Sequence, residues 1–142
     1  MKTRKSTVTW KGSGKEGSGT ISTQSRALNE ASYSWRSRFE ETPGTNPEEL
    51  LGAAHAACFT LKLAFLLNAA GYKVETLETV AVVTLEKDSL SHSNLSVKGD
   101  VPDISEEKFL ELAKDAGKNC IVSRAINLKT TVDAQLSQEH QV

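Results

Sequence analysis

A chain of 142 residues that is 38% hydrophobic and 25% charged has the make-up of one soluble globular domain spanning 1–142, large enough for a real core and too small to divide comfortably in two. Its 17 basic residues against 18 acidic ones leave a formal charge of −1. No global field then draws nucleic acid or an anionic membrane, and neither is expected as a partner.

The basic bias is local: Lys2, Arg4, Lys5, Lys11 and Lys15 all precede the first acidic residue, Glu16. Thr7-Val8-Thr9-Trp10 alternates like a strand and lacks an apolar helical face, so the segment reads as a solvated first strand rather than a transit peptide. No apolar central region or small-residue cleavage site marks a signal peptide, so a cytoplasmic, reducing location is expected. Gly12-Ser13-Gly14 breaks the first strand, Gly19 to Gln24 gives a second β-prone run, and Tyr33 to Phe39 gives a third, marked by Trp35 and Phe39. These three predict an antiparallel meander.

Thr42-Pro43-Gly44 closes that meander, and Asn46-Pro47-Glu48-Glu49 opens the main helix, with Asn46 as N-cap, Pro47 at the first helical position and carboxylates in the first turn. Gly71 ends it, after about 36 Å at 1.5 Å per residue. The stretch from Leu50 to Ala70 approaches membrane-spanning length, but His55, Thr60, Lys62 and Asn68 interrupt it, which predicts a buried helix. Its apolar residues fall on every face, so it needs cover on more than one side. That cover comes either from a partner subunit, which makes the chain a homodimer, or from later helices of the same chain.

Beyond it, Glu78 to Lys87 and Ser93 to Val101 read as strands, Ser105-Glu106-Glu107 caps a second helix that Gly117 ends, and Asn119 to Ala125 suggests a short helical turn carrying Cys120. Asn127 to Leu136 is the last strand. This order predicts an α+β fold with antiparallel sheets and not a βαβ array.

Two widely separated cysteines in a reducing compartment suggest redox or nucleophilic chemistry before a structural staple. Each also has a plainer reading as a small buried hydrophobe: Cys58 in an Ala-rich helix, Cys120 beside Ile121 and Val122. His55, three residues before Cys58, shares its helix face and is a candidate base, and Lys62, four residues after, is a candidate thiolate partner. His55, His92 and His140 are too scattered for a metal site.

Three segments carry a resemblance: Trp35-Arg36-Ser37-Arg38-Phe39-Glu40, then Gly44 through Asn46-Pro47-Glu48-Glu49-Leu50-Leu51-Gly52-Ala53-Ala54-His55-Ala56-Ala57-Cys58-Phe59, and Asn119-Cys120-Ile121-Val122-Ser123-Arg124-Ala125. Together they resemble the signature stretches of the OsmC/Ohr family, more closely its OsmC branch. The resemblance runs over nearly the whole chain and implies an intertwined homodimer built around a long buried central helix, with active sites at the interface. It implies a thiol peroxidase of oxidative and osmotic stress defence, reducing organic hydroperoxides to alcohols. In that reading Cys58 matches the peroxidatic cysteine and Cys120 the resolving one. Arg38 matches the arginine that holds the thiolate, and Glu48 the glutamate that anchors this arginine. An external dithiol, lipoyl-type among the candidates, resets the pair, and no metal, haem or flavin is implied.

The chemistry suits these residue types, because a thiol with a free pKa of about 8.5 is mostly protonated at neutral pH and a neighbouring guanidinium favours the thiolate. Phe59, Leu61, Phe65 and the Trp35/Phe39 segment are expected to line an apolar approach. Members of the branch often carry proline after the second cysteine, where this chain has Ile121. The alternative, from another class, is a redox sensor or ligand-binding protein that uses the same cysteine pair without turnover.

Overall fold

The computed structural model describes residues 1–40 and 42–137, so His140 lies outside the described residues. The chain forms two compact units, Met1–Leu50 and Leu51–Val142.

In the first unit, β1 (Ser6–Lys11), β2 (Ser18–Thr23) and β3 (Ala31–Tyr33) make the expected antiparallel meander in the order β1-β2-β3. Trp10 and Tyr33 pack in a tilted contact with ring centroids 5.3 Å apart. They close over Gly19, where a Cβ would lie 2.5 Å from Tyr33 and 2.7 Å from Trp10, so no larger residue fits beneath the pair.

The third strand is shorter than expected. It stops at Tyr33, and Trp35–Phe39 forms a short helix, α1. Trp35, Ser37 and Phe39 alternate as a strand would, but Ser34 and Ser37 form a capping box that overrides the pattern: the Ser37 amide donates to Ser34 Oγ at 3.1 Å and the Ser34 amide to Ser37 Oγ at 2.8 Å. Gly44, at φ 119°, brings the chain back along β3, where a Cβ would meet the Ser32 carbonyl oxygen at 2.9 Å. Asn46 caps the next helix as expected. Its Oδ1 accepts from the Glu49 amide at 2.7 Å, while its Nδ2 donates to the Ser37 carbonyl at 3.2 Å and so ties α1 to the helix start.

That helix, α2 (Pro47–Ala69), crosses the boundary between the two units. Gly71 at φ 93° ends it, with the Tyr72 amide donating to the Leu67 carbonyl at 2.9 Å.

The second unit holds β4 (Thr76–Glu86), β5 (Ser89–Asp100), α3 (Glu106–Asn119), α4 (Ile121–Ala125) and β6 (Lys129–Leu136), with sheet order β4-β5-β6. The expectation of antiparallel sheets fails here in one place: β4 and β5 are an antiparallel hairpin, but β5 and β6 run parallel. The cause is the connection, since α3 and α4 carry the chain back to the end of the sheet from which β5 began, as a helical crossover does.

The core of this unit joins Phe59, Leu63 and Leu67 of α2 to Leu95 and Val97 of β5 and to Phe109, Ala113 and Ala116 of α3. Gly117 does not end α3 but lies buried inside it, because Val132 occupies the place of its missing Cβ, 2.4 Å from that position. The helix runs on to Asn119, with Cys120 as its cap. α2 is buried on one face only: Phe59, Leu63 and Leu67 are fully enclosed, whereas Leu61 and Phe65 are 61% and 65% exposed.

Candidate active site

Arg38 and Glu48 are brought together within the first unit. The capping box places Arg38 on α1, and the N-cap at Asn46 sets Glu48 in the first turn of α2. Arg38 Nε donates to Glu48 Oε1. Glu48 is buried and its second oxygen, Oε2, has no hydrogen-bond partner among the described residues, while the Arg38 side chain is 44% exposed. A buried carboxylate therefore grips the guanidinium by one edge and leaves the terminal nitrogens as donors for something else.

Cys58 and Cys120 are both free thiols, the first half-buried and the second buried. One helical turn addresses both. Cys120 is the N-cap of α4, its Sγ accepting from the Ser123 amide at 3.3 Å, and the adjacent Val122 amide donates to Cys58 Sγ at 3.5 Å. These are first-turn amides with no partner inside their own helix, so a sulfur is a suitable acceptor and a thiolate a better one. Ile121 takes the first helical position, where a proline would equally fit, and its side chain is exposed.

His55 makes no hydrogen bond to Cys58. It is fully buried, and both ring nitrogens are taken by hydroxyls: Nδ1 by Ser93 Oγ and Nε2 by Ser123 Oγ, each at 2.7 Å. Burial holds the imidazole below its ordinary pKa, which keeps the ring neutral near pH 7. Ser123 Oγ is in turn 2.9 Å from Cys120 Sγ. Lys62 is half-buried and makes no hydrogen bond or ion pair among the described residues.

Phe59, expected beside the site, is a core residue, while Leu61 and Phe65 do face outward. Leu61 lines a shallow groove of about 530 Å³ between α2 and β4, together with Ala64 and Leu77. Sequence reasoning missed Ser93 and Ser123. Ser93 stands in the inward phase of β5 with Leu95 and Val97, and a lone hydroxyl in an apolar alternation is the signal that could have pointed to a buried partner.

The model of the OsmC-like protein family matches residues 39–135, more than half of the chain. The chain belongs to the OsmC-like family. The match takes in Glu48, Cys58 and Cys120, and Arg38 lies one residue before it. Peroxiredoxin OsmC of Escherichia coli is 39% identical over 137 residues, covering 94% of this chain and 96% of its own length. Among solved structures, the organic hydroperoxide resistance protein OhrB of Bacillus subtilis is 26% identical, with a TM-score of 0.69 and coverage of 94% of this chain and 98% of that one. An OsmC-like protein of Vibrio cholerae shares the fold at a TM-score of 0.76 with 19% identity, over 94% of this chain and 99% of that one. The α+β fold of OsmC-like and Ohr proteins is thus this chain's fold, and the names of these relatives place a peroxide-related redox role in the family.

Proposed function

We propose that this chain is a thiol-dependent peroxidase that reduces organic hydroperoxides to alcohols. The observation that carries the proposal is the placing of Cys58 and Cys120 on neighbouring amides of one helical turn, the arrangement a nucleophile and its resolving partner need. The Cys58 thiolate attacks the terminal peroxide oxygen, the O–O bond breaks, the alcohol leaves, and Cys58 becomes a sulfenic acid. Cys120 displaces the hydroxyl as water and forms the Cys58–Cys120 disulfide, which an external dithiol, lipoyl-type among the candidates, reduces. Arg38, held by Glu48, favours the thiolate and donates to the peroxide oxygens. The whole chain works as one domain, in the cytoplasm, in defence against oxidative and osmotic stress.

The same reading takes the active form to be a homodimer. The apolar stripe of α2 at Leu61 and Phe65, and Val80 and Val82 on β4, each 55% exposed, support it, because burying such side chains stabilises an interface by about 1.5–3 kcal/mol each. Light scattering at low micromolar concentration is expected to give twice the 15.4 kDa chain mass, and an active monomer there would refute it. For the chemistry, the test is a steady-state comparison of cumene hydroperoxide with hydrogen peroxide. The organic substrate should be reduced the faster of the two, and equal rates would remove the preference.

A further inference from the structure

We propose that His55 is the proton acceptor for the Cys120 thiol, acting through Ser123, and that it thereby sets the rate of the resolving step. The inference rests on the peroxidase reading for its biological use, but its chemistry concerns any attack by Cys120 on an oxidised Cys58.

Four side chains form a continuous line: Ser93 Oγ to His55 Nδ1 at 2.7 Å, His55 Nε2 to Ser123 Oγ at 2.7 Å, and Ser123 Oγ to Cys120 Sγ at 2.9 Å. Ser93, His55 and Cys120 are each no more than 1% exposed, so bulk water is a poor base for this thiol. Only one orientation of the protons empties the thiol. Nδ1–H donates to Ser93, the Ser123 hydroxyl donates to Nε2, and the Cys120 S–H donates to Ser123. When Cys120 attacks, its proton moves to Ser123 Oγ as the Ser123 proton moves to Nε2, leaving a thiolate that receives two donors, the Ser123 hydroxyl and the Ser123 amide at 3.3 Å. The new S–S bond forms as the C–S–OH oxygen leaves, and the proton held by His55 is returned through solvent to that hydroxide to complete water. No outside oxidant or reductant enters. Burial, which disfavours the imidazolium, makes His55 a temporary carrier rather than a store.

Several titratable groups lie on the elements packed around His55. On α2 itself Cys58 is one turn away and is addressed by Val122, Lys62 is two turns away and half-buried, and Glu48, two turns the other way, is bonded to Arg38. On β5, His92 is the neighbour of Ser93 and so points to the other face of the strand, with its Nε2 2.8 Å from Thr131 Oγ1. On the turn at α4 there are Cys120 and the exposed Arg124. None of these but Cys120 stands in the line.

The test needs no peroxide. One equivalent of dithiobis(nitrobenzoate) should release a first aryl thiolate as Cys58 is charged and a second as Cys120 attacks the mixed disulfide, and Cys120→Ser should lose the second phase alone. With His55 as internal base, the second-phase rate should be level from about pH 7 to the ordinary thiol range near 8.5, since the base that takes the proton stands in the line and its supply does not depend on bulk hydroxide. In Ser123→Ala and in His55→Gln it should fall by about a hundredfold at pH 7, the lower end of what a positioned base contributes, and rise tenfold per pH unit. Ser123→Thr, which keeps the hydroxyl, should restore the plateau. A merely structural role would lower the rate and leave the slope alone. A wild-type second phase that already rises tenfold per pH unit overturns the proposal even if a variant fails to fold, as does a plateau that survives in Ser123→Ala. Absence of peroxide turnover would refute the peroxidase reading while leaving this readout intact.

Discussion

Cys58→Ser is expected to reduce no peroxide above background, whereas Cys120→Ser should consume one equivalent without turning over and hold Cys58 as sulfenic acid, which a second equivalent, where supplied, oxidises to the sulfinic state. The difference follows from what each sulfur does. Peroxide reduction takes two electrons from a sulfur that attacks oxygen, and a serine hydroxyl has none to give at neutral pH. Cys58 is half-buried and holds the Val122 amide, so a peroxide can approach it, while Cys120 is enclosed and meets oxidised sulfur rather than peroxide. Without Cys120 nothing competes with further oxidation, and the sulfinic state is not recovered by a simple thiol. Mass spectrometry of the two variants after one equivalent of cumene hydroperoxide reads the outcome directly. Equal residual turnover in the two would remove the division of roles.

Arg38→Ala should slow alkylation of Cys58 by iodoacetamide at neutral pH by at least about tenfold, the lower end of what one opposite charge does to ionisation. Glu48→Ala should act in the same direction but less severely, because the guanidinium stays while its anchor goes. Glu48 is buried, with one oxygen on Arg38 and the other without a partner among the described residues. Its removal therefore also relieves a desolvated charge, and thermal unfolding should be followed alongside the chemistry. An unchanged alkylation rate in Arg38→Ala would mean that the thiolate is stabilised elsewhere, with the Val122 amide as the first candidate.

What the sequence made legible was the part written in local chemistry. Asn46-Pro47-Glu48-Glu49 announced α2, because a cap, a proline and two carboxylates each favour the same helix start, and Gly71 announced its end. Less legible were features decided by contacts between distant residues. Gly117 looks like a terminator until Val132 is seen filling its side-chain space, and Trp35 to Phe39 looks like a strand until the Ser34–Ser37 box is seen. The parallel pairing of β6 with β5 depends on where a crossover returns, which no local pattern states.

At the site, Cys58, Cys120, Arg38 and Glu48 were singled out by family resemblance, and the Arg38–Glu48 pairing was found as expected. His55 is bonded away from Cys58 for a physical reason. Sharing a helix face with Cys58 makes contact available, but burial and two hydroxyls from β5 and α4 claimed both ring nitrogens. Ser93 is 38 residues from His55 in sequence and Ser123 is 68, so periodicity along the helix carried no trace of either.

The central claim, that the cysteine pair cycles, is tested most directly by counting. With dithiothreitol in excess, the account predicts that each chain consumes many equivalents of cumene hydroperoxide at a steady rate; consumption of a single equivalent per chain, followed by none, would contradict it and leave a redox switch in place of an enzyme.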